Sequence, residues 1–233
     1  MTQRRVSNHI LARLAQTDPD VFARVLHDLH PVALQQGETL ATGTADGGGV
    51  VHFVESGVIS MVGDARSGAS VELALVGREG VVGLSDVLGR HTPPYRLTVQ
   101  VAGLAYRVHA DVIRDHVFSC RGLHDPLLEY TQAVIAQLAQ SVICSRFHTS
   151  VQRLARWLLL TAERAESNEL HLTHEMLAHM VGAPRSAVTQ AAAQLRAAGT
   201  IEYQRGLITL RNRARLRKQA CECYAALSQQ IAT

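Results

Sequence analysis

The chain has 233 residues, 47% hydrophobic and 18% charged, which is room for two modest domains and too apolar for an intrinsically disordered protein. Its net charge of +3 is unevenly divided: residues 147–233 carry eleven Arg and Lys against six Asp and Glu, while the remainder is slightly acidic. No signal-like apolar run follows the N-terminus, and the charge-free stretch 130–145 contains three glutamines and is too short for a bilayer span, so a cytoplasmic protein with no membrane partner is expected.

Residues 8–30 read as amphipathic helix, with Ile10, Leu11, Leu14, Val21, Phe22, Val25 and Leu29 at helical spacing and a break at Asp18-Pro19. From Pro31 to His109 the texture changes to short β-branched runs, Val50–Val54, Val58–Val62, Val71–Val76, Leu97–Val101 and Leu104–Val108, punctuated by glycines that include Gly47–Gly49, Gly57, Gly83 and Gly103. Strands with tight turns at such short intervals predict a compact antiparallel β-roll. A short helix near 110–117 follows.

Asp125-Pro126 supplies an N-cap acceptor and an N1 proline for a long helix to about Cys144. On it Leu128, Thr131, Ile135, Leu138 and Val142 alternate steps of three and four, the repeat that seams two helices into a coiled coil. Homodimerisation is the expectation, with an intramolecular seam against the β-roll as the alternative. A second face, Leu127, Tyr130, Val134 and Ser141, is free to pack on the roll. Residues 145–149 read as a hinge, after which Ser150 caps a helix through Ala165. The expected division is 1–123, N-terminal helices and β-roll; 124–146, dimerisation helix; 150–233, C-terminal domain.

Within that domain Thr173 can cap a helix from His174 to Met180 that stops at Gly182, and a second helix starts at Pro184. Leu177, Ala178, Val181, Ala183, Val188 and Leu195 would face inward, which is helix-turn-helix spacing. The outer face of the second helix carries Arg185, Ser186, Thr189 and Gln190, polar side chains near its N-terminus, where a recognition helix meets base edges. Arginine can read guanine and glutamine adenine in bidentate fashion. The alternating run Ile201–Leu210 around Arg205-Gly206 predicts a β-hairpin, a wing whose tip arginine would meet phosphate. Arg211, Arg213, Arg215, Arg217 and Lys218 follow, as further DNA-facing charge or as a solvated helix face.

In this order of parts the chain resembles the Crp-Fnr superfamily of bacterial transcription regulators, with blocks at Phe53–Ser60, Gly77–Gly83, Gln152–Leu158, Leu172–Ala178 and Cys221–Tyr224. The resemblance implies an α+β chain: a jelly roll like a cyclic-nucleotide-binding domain, a long dimerisation helix and a C-terminal winged helix-turn-helix. It also implies a homodimer on double-stranded DNA of roughly palindromic sequence, with RNA polymerase a candidate partner. The cyclic-nucleotide cassette is degenerate. Gly83-Leu84-Ser85 stands where family members place a glutamate for the ribose, Arg96 is one residue late for the cyclic phosphate, and Leu138-Ala139 replaces the Thr-Ser pair that reads adenine. No cofactor is identified, control by cyclic AMP is not expected, and with no cysteine before Cys120 neither is an iron-sulfur cluster.

Other chemistries fit poorly. Lys218 is the only lysine and lies in neither a phosphate-binding loop nor a Ser-x-x-Lys motif. His174 and His179 are five residues apart, roughly 140° off one helical face, so the zinc-protease pattern fails. Cys120, Cys144, Cys221 and Cys223 are expected to be thiols; Cys221-x-Cys223 has no partner pair at zinc-ribbon spacing, and no metal is assigned. An enzyme is not expected. The remaining alternative is a ligand-binding or protein-interaction module of the same fold that has lost specific DNA binding, for which an acidic or apolar recognition face would be the sign.

Overall fold

The computed structural model describes residues 6–41, 49–89 and 93–229, so the glycine turn expected at Gly47–Gly49 falls largely outside them. In chain order the elements are α1 (His9–Thr17), α2 (Pro19–Asp28), β1 (His30–Leu34), β2 (Thr39–Leu40), β3 (Val50–Asp64), β4 (Ser70–Val76), β5 (Val81–Val82), α3 (Leu84–Leu88), β6 (Arg96–His109), α4 (Ala110–Val117), α5 (Arg121–Phe147), α6 (Ser150–Arg164), β7 (Glu169–His171), α7 (His174–Val181), α8 (Arg185–Ala197), β8 (Ile201–Gln204), β9 (Leu207–Leu210), α9 (Arg213–Gln219) and α10 (Cys223–Ser228). They form two compact units, Met1–Ser60 with Val76–Val134, and Met61–Leu75 with Ile135–Thr233.

The N-terminal sheet has the order β1-β6-β3-β4, with β2 on β6 and β5 on β3. Antiparallel registers such as Val32↔Ala105, Leu40↔Leu97 and Phe53↔Val81 bear out the antiparallel β-structure. The break at Asp18-Pro19 separates α1 from α2, and Asp18 caps α2 by accepting from Val21 N. Asn8 caps α1 through Leu11 N, while its buried amide donates to Val54 O and Gly80 O at 3.0 and 2.8 Å, fixing the helix start to the roll. Leu11, Leu14, Val25, Phe53, Val58, Leu97, Val99 and Ile113 form the core here.

Two pairs of expected strands are single strands. Val50–Val54 and Val58–Val62 merge in β3, and Leu97–Val101 and Leu104–Val108 merge in β6. The glycines between them sit inside strands: Gly57 has φ +86°, and a Cβ on Gly103 would lie 2.1 Å from Ser56 O. They permit a bend with close backbone approach rather than a chain reversal.

The long helix also differs from expectation. It begins at Arg121 instead of Asp125, with the Cys120 carbonyl accepting from Leu123 N and His124 N, and it continues to Phe147. Pro126 lies inside it as the sixth residue, where it has no N–H to donate to the Gly122 carbonyl, so one helical bond is forgone. The next cap is Thr149, not Ser150: its hydroxyl accepts from Gln152 N and the Gln152 side chain accepts from Thr149 N, a reciprocal capping box.

In the second unit α6 forms the spine, with Leu154, Ala155, Trp157, Leu158 and Ala162 buried. A three-stranded sheet, β7-β9-β8, covers one end; β7 was not anticipated, because three residues are too few to show a period.

Candidate nucleic-acid interface

Thr173 caps α7 by accepting from Met176 N at 3.1 Å, and α7 ends at Gly182, whose φ of +63° places it in the left-handed region. A Cβ at Gly182 would approach Val71 Cγ2 to 2.7 Å, so conformation and space both require glycine. Arg153 of α6 donates to the carbonyls of Val181 and Gly182, satisfying the end of α7 and bracing the turn. The second helix starts one residue later than expected, at Arg185, with Pro184 in the N-cap position. Leu177, Ala178, Val181, Val188 and Leu195 are buried, and Ala183 is half-buried.

Arg185, Ser186, Thr189 and Gln190 are all exposed near the N-terminal end of α8. Thr189 differs from the other three, because its hydroxyl donates to Arg185 O at 2.9 Å and lies 3.1 Å from His174 Nδ1. The His174 ring stacks on Tyr203 of β8 with centroids 4.4 Å apart. Burial, then the Arg185 guanidinium, pulls His174 below the usual imidazole value, so the stack is neutral at pH 7. One imidazole thus links α7, α8 and the wing.

The wing is β8 and β9, in register from Ile201↔Leu210 to Gln204↔Leu207, with Arg205 exposed at its tip. Arg205 at φ +50° and Gly206 at φ +82° give the two left-handed residues of a type I′ turn. The basic run beyond is partly structural. Arg211 pairs with Glu202, Arg213 donates to Asn168 Oδ1, Ala162 O and Ser167 O, and Arg217 bonds the Tyr224 hydroxyl. Arg215 and Lys218 point from α9 into solvent.

On α5, Leu128, Ile135 and Val142 are 51%, 53% and 68% exposed at seven-residue intervals, with Thr131 and Leu138 half-buried between them. Of the second face, Leu127 is buried, Val134 half-buried, and Tyr130 packs so closely on Gly80 that a Cβ there would be 2.3 Å from the ring. Half-buried Ser141 donates to Leu73 O at 2.9 Å in the second unit. The first face is thus exposed at every seventh residue, and the second is packed.

In the roll, Gly83 has φ +86° and begins α3, and a Cβ on it would be 2.1 Å from Val50 O. Leu84 and Ser85 occupy the first turn of α3. Arg96 donates to Thr98 Oγ1 on its own strand.

A group absent from the sequence-level assignments lies at the end of α5. The donor atoms of Cys144, His148, Cys221 and Cys223 are all within 4.8 Å of one another. Cys144 and Cys221 share a hydrogen bond, 3.6 Å between sulfurs, that holds Cys144 below the usual thiol range and Cys221 above it. No local spacing announces this cluster, since Cys144 and Cys221 are 77 residues apart; the helical i, i+4 step from Cys144 to His148 was the available signal.

A helix-turn-helix followed by a β-wing is the winged helix-turn-helix arrangement. Residues 152–219 match the Crp-like helix-turn-helix domain. Comparison with curated proteins gives no match. Among solved structures, a crp/fnr-family regulator from Eubacterium rectale is similar at 16% identity and TM-score 0.69, over 88% of this chain and 95% of that one. FixK2 from Bradyrhizobium japonicum is similar at 17% identity and TM-score 0.67, over 83% and 98%. A CRP/FNR-family transcriptional regulator from Thermus thermophilus is similar at 20% identity and TM-score 0.64, over 82% and 98%. The chain thus carries a Crp-like helix-turn-helix domain within a fold shared with solved Crp/Fnr-family structures.

Proposed function

We propose that this protein is a sequence-specific transcription regulator, not an enzyme, that binds a roughly palindromic operator as a homodimer without cyclic AMP. The observation that carries the reading is the exposed set Arg185, Ser186 and Gln190 on a recognition helix braced by Arg153, with neither acidic nor large apolar side chains among them. The exposed heptad stripe Leu128, Ile135 and Val142 supports pairing of two copies, whose recognition helices would enter successive major grooves. Independence from cyclic AMP is supported by Leu84 and Ser85 at the start of α3 and by Arg96 being engaged with Thr98. A DNA partner places the protein in the cytoplasm.

Selection from random duplexes by the purified protein at two salt concentrations tests the reading, and a two-fold symmetric site is the expected yield. Retention without preference that collapses steeply with salt would instead favour the interaction-module alternative. On the selected site, Arg185→Ala should cost about 1–3 kcal/mol of discrimination against scrambled DNA. Unchanged discrimination removes Arg185 from base contact.

Arg205→Asn should have two opposed effects. Asparagine tolerates the left-handed region that costs arginine about 1 kcal/mol, so urea unfolding should show a stabilisation of that order. Loss of the wing cation should weaken binding similarly on all sequences and lower the salt slope by about 1. A sequence-dependent loss would mean that Arg205 reads bases.

A further inference from the structure

Cys144 and His148 lie one turn apart at the end of α5, on the same face, and Cys221 and Cys223 flank the start of α10. All three thiols are buried, and the His148 side chain is only 9% exposed. The Cys144 and Cys221 sulfurs are 3.6 Å apart, and Cys223 Sγ is 3.4 Å from His148 Nδ1. Zinc bonded to sulfur at ~2.3 Å and to nitrogen at ~2.0–2.1 Å in a tetrahedron would separate sulfurs by ~3.8 Å and sulfur from nitrogen by ~3.6 Å. Two edges of that tetrahedron are therefore present already, and every donor pair lies within 4.8 Å.

The surroundings point the same way. His148 Nε2 donates to Glu222 Oε1 at 3.0 Å, the carboxylate-histidine support that metal-bound imidazoles have, and its Nδ1 faces Cys223 Sγ at 3.4 Å. Gln140 Nε2 donates to Cys223 Sγ at 2.9 Å, a bond that stabilises a thiolate. Three thiolates around Zn²⁺ leave one net negative charge, and the guanidiniums of Arg153 and Arg156 are near enough to act electrostatically on Cys144. A disulfide between Cys144 and Cys221 would engage neither Cys223, His148 nor Glu222.

We propose that Cys144, His148, Cys221 and Cys223 bind one zinc ion in a closed, structural Cys₃His site that ties the end of α5 to the start of α10. Binding releases the thiol protons to solvent and involves no oxidation. All four ligands are protein atoms, so the ion has no open position for catalysis and acts as a staple. Arg153 lies beside the site and also holds the turn between α7 and α8. Metal occupancy would thereby be felt at the recognition helix.

The test uses the full-length protein, purified under reducing conditions without chelator. Elemental analysis should give one zinc per chain. Cobalt added to chelator-stripped protein should produce the visible bands of a tetrahedral thiolate complex. Cys221→Ser and Cys223→Ser should lose the metal, whereas Cys120→Ser, a buried thiol outside the cluster, should keep it. Should the cysteine variants fail to fold, Glu222→Gln serves instead: its side chain is 79% exposed, and loss of support to His148 should weaken zinc about 10–100-fold in chelator competition. The proposal is overturned if folded wild-type protein holds no stoichiometric metal after zinc is supplied. It is equally overturned if Glu222→Gln binds zinc as tightly as wild type, or if intact mass shows a Cys144–Cys221 disulfide in place of the ion.

Discussion

Trp157→Ala is expected to cost about 3–5 kcal/mol of folding free energy, a large part of the total stability of a domain. The indole is fully buried in the middle of α6, the helix against which α8 and α9 pack. Its Nε1–H donates to both oxygens of Glu72, each at 2.9 Å, and that carboxylate is itself buried. Alanine would open a cavity and deprive a buried charge of its indole donor at once. Trp157→Phe separates the two effects, since most of the volume stays while the hydrogen bond to a charged acceptor, worth about 1.5–3 kcal/mol, is lost. Urea unfolding of both variants measures this. A loss below about 1 kcal/mol for the alanine variant would show that the site collapses without penalty and that Trp157 does not organise the unit.

In the proposed homodimer, Ile135→Glu should abolish pairing and leave a monomer. In a two-fold symmetric pair each substitution occurs twice, so two isoleucines, each contributing about 1.5–3 kcal/mol when buried, are lost together. At 1.4 kcal/mol per tenfold the dimerisation constant falls about 10²–10⁴-fold, before repulsion between the two carboxylates is added. Analytical ultracentrifugation reads the association state, and fluorescence anisotropy on the selected operator should show the matching loss of affinity. Phe118→Glu is the control: Phe118 is 76% exposed but lies outside α5. A variant that remains dimeric would remove the stripe from the interface and favour another surface.

The helix-turn-helix and wing were legible because their signals are local. Thr173 and Gly182 mark the ends of a helix, and Arg205-Gly206 sits between two alternating runs, so turn chemistry and period agree within a few residues. The heptad on α5 was legible for the same reason. What the sequence concealed depends on partners distant in the chain. Gly57 and Gly103 look like strand breaks until the other strand's backbone is in place, and Pro126 looks like a helix start because nothing local shows the Cys120 carbonyl already occupied. The Cys144, His148, Cys221 and Cys223 cluster is the extreme case, because its two halves are joined only by the folded domain. Likewise, Arg213 reads as surface charge until three acceptors gather around it.

The segment Met61–Leu75 belongs to the same compact unit as the helix-turn-helix domain, although it comes from the middle of the β-roll sequence. Glu72 meets Trp157, Val71 sits against Gly182, and Leu73 accepts from Ser141. The unit that holds the helix-turn-helix is therefore discontinuous along the chain. Recombination at the hinge that swapped only residues 150–233 for those of another protein of this fold would leave the Glu72 carboxylate without its indole donor and Val71 without the turn glycine it packs against. Exchange of helix-turn-helix units between proteins of this fold has to carry this hairpin along, which restricts shuffling to relatives whose hairpins already fit.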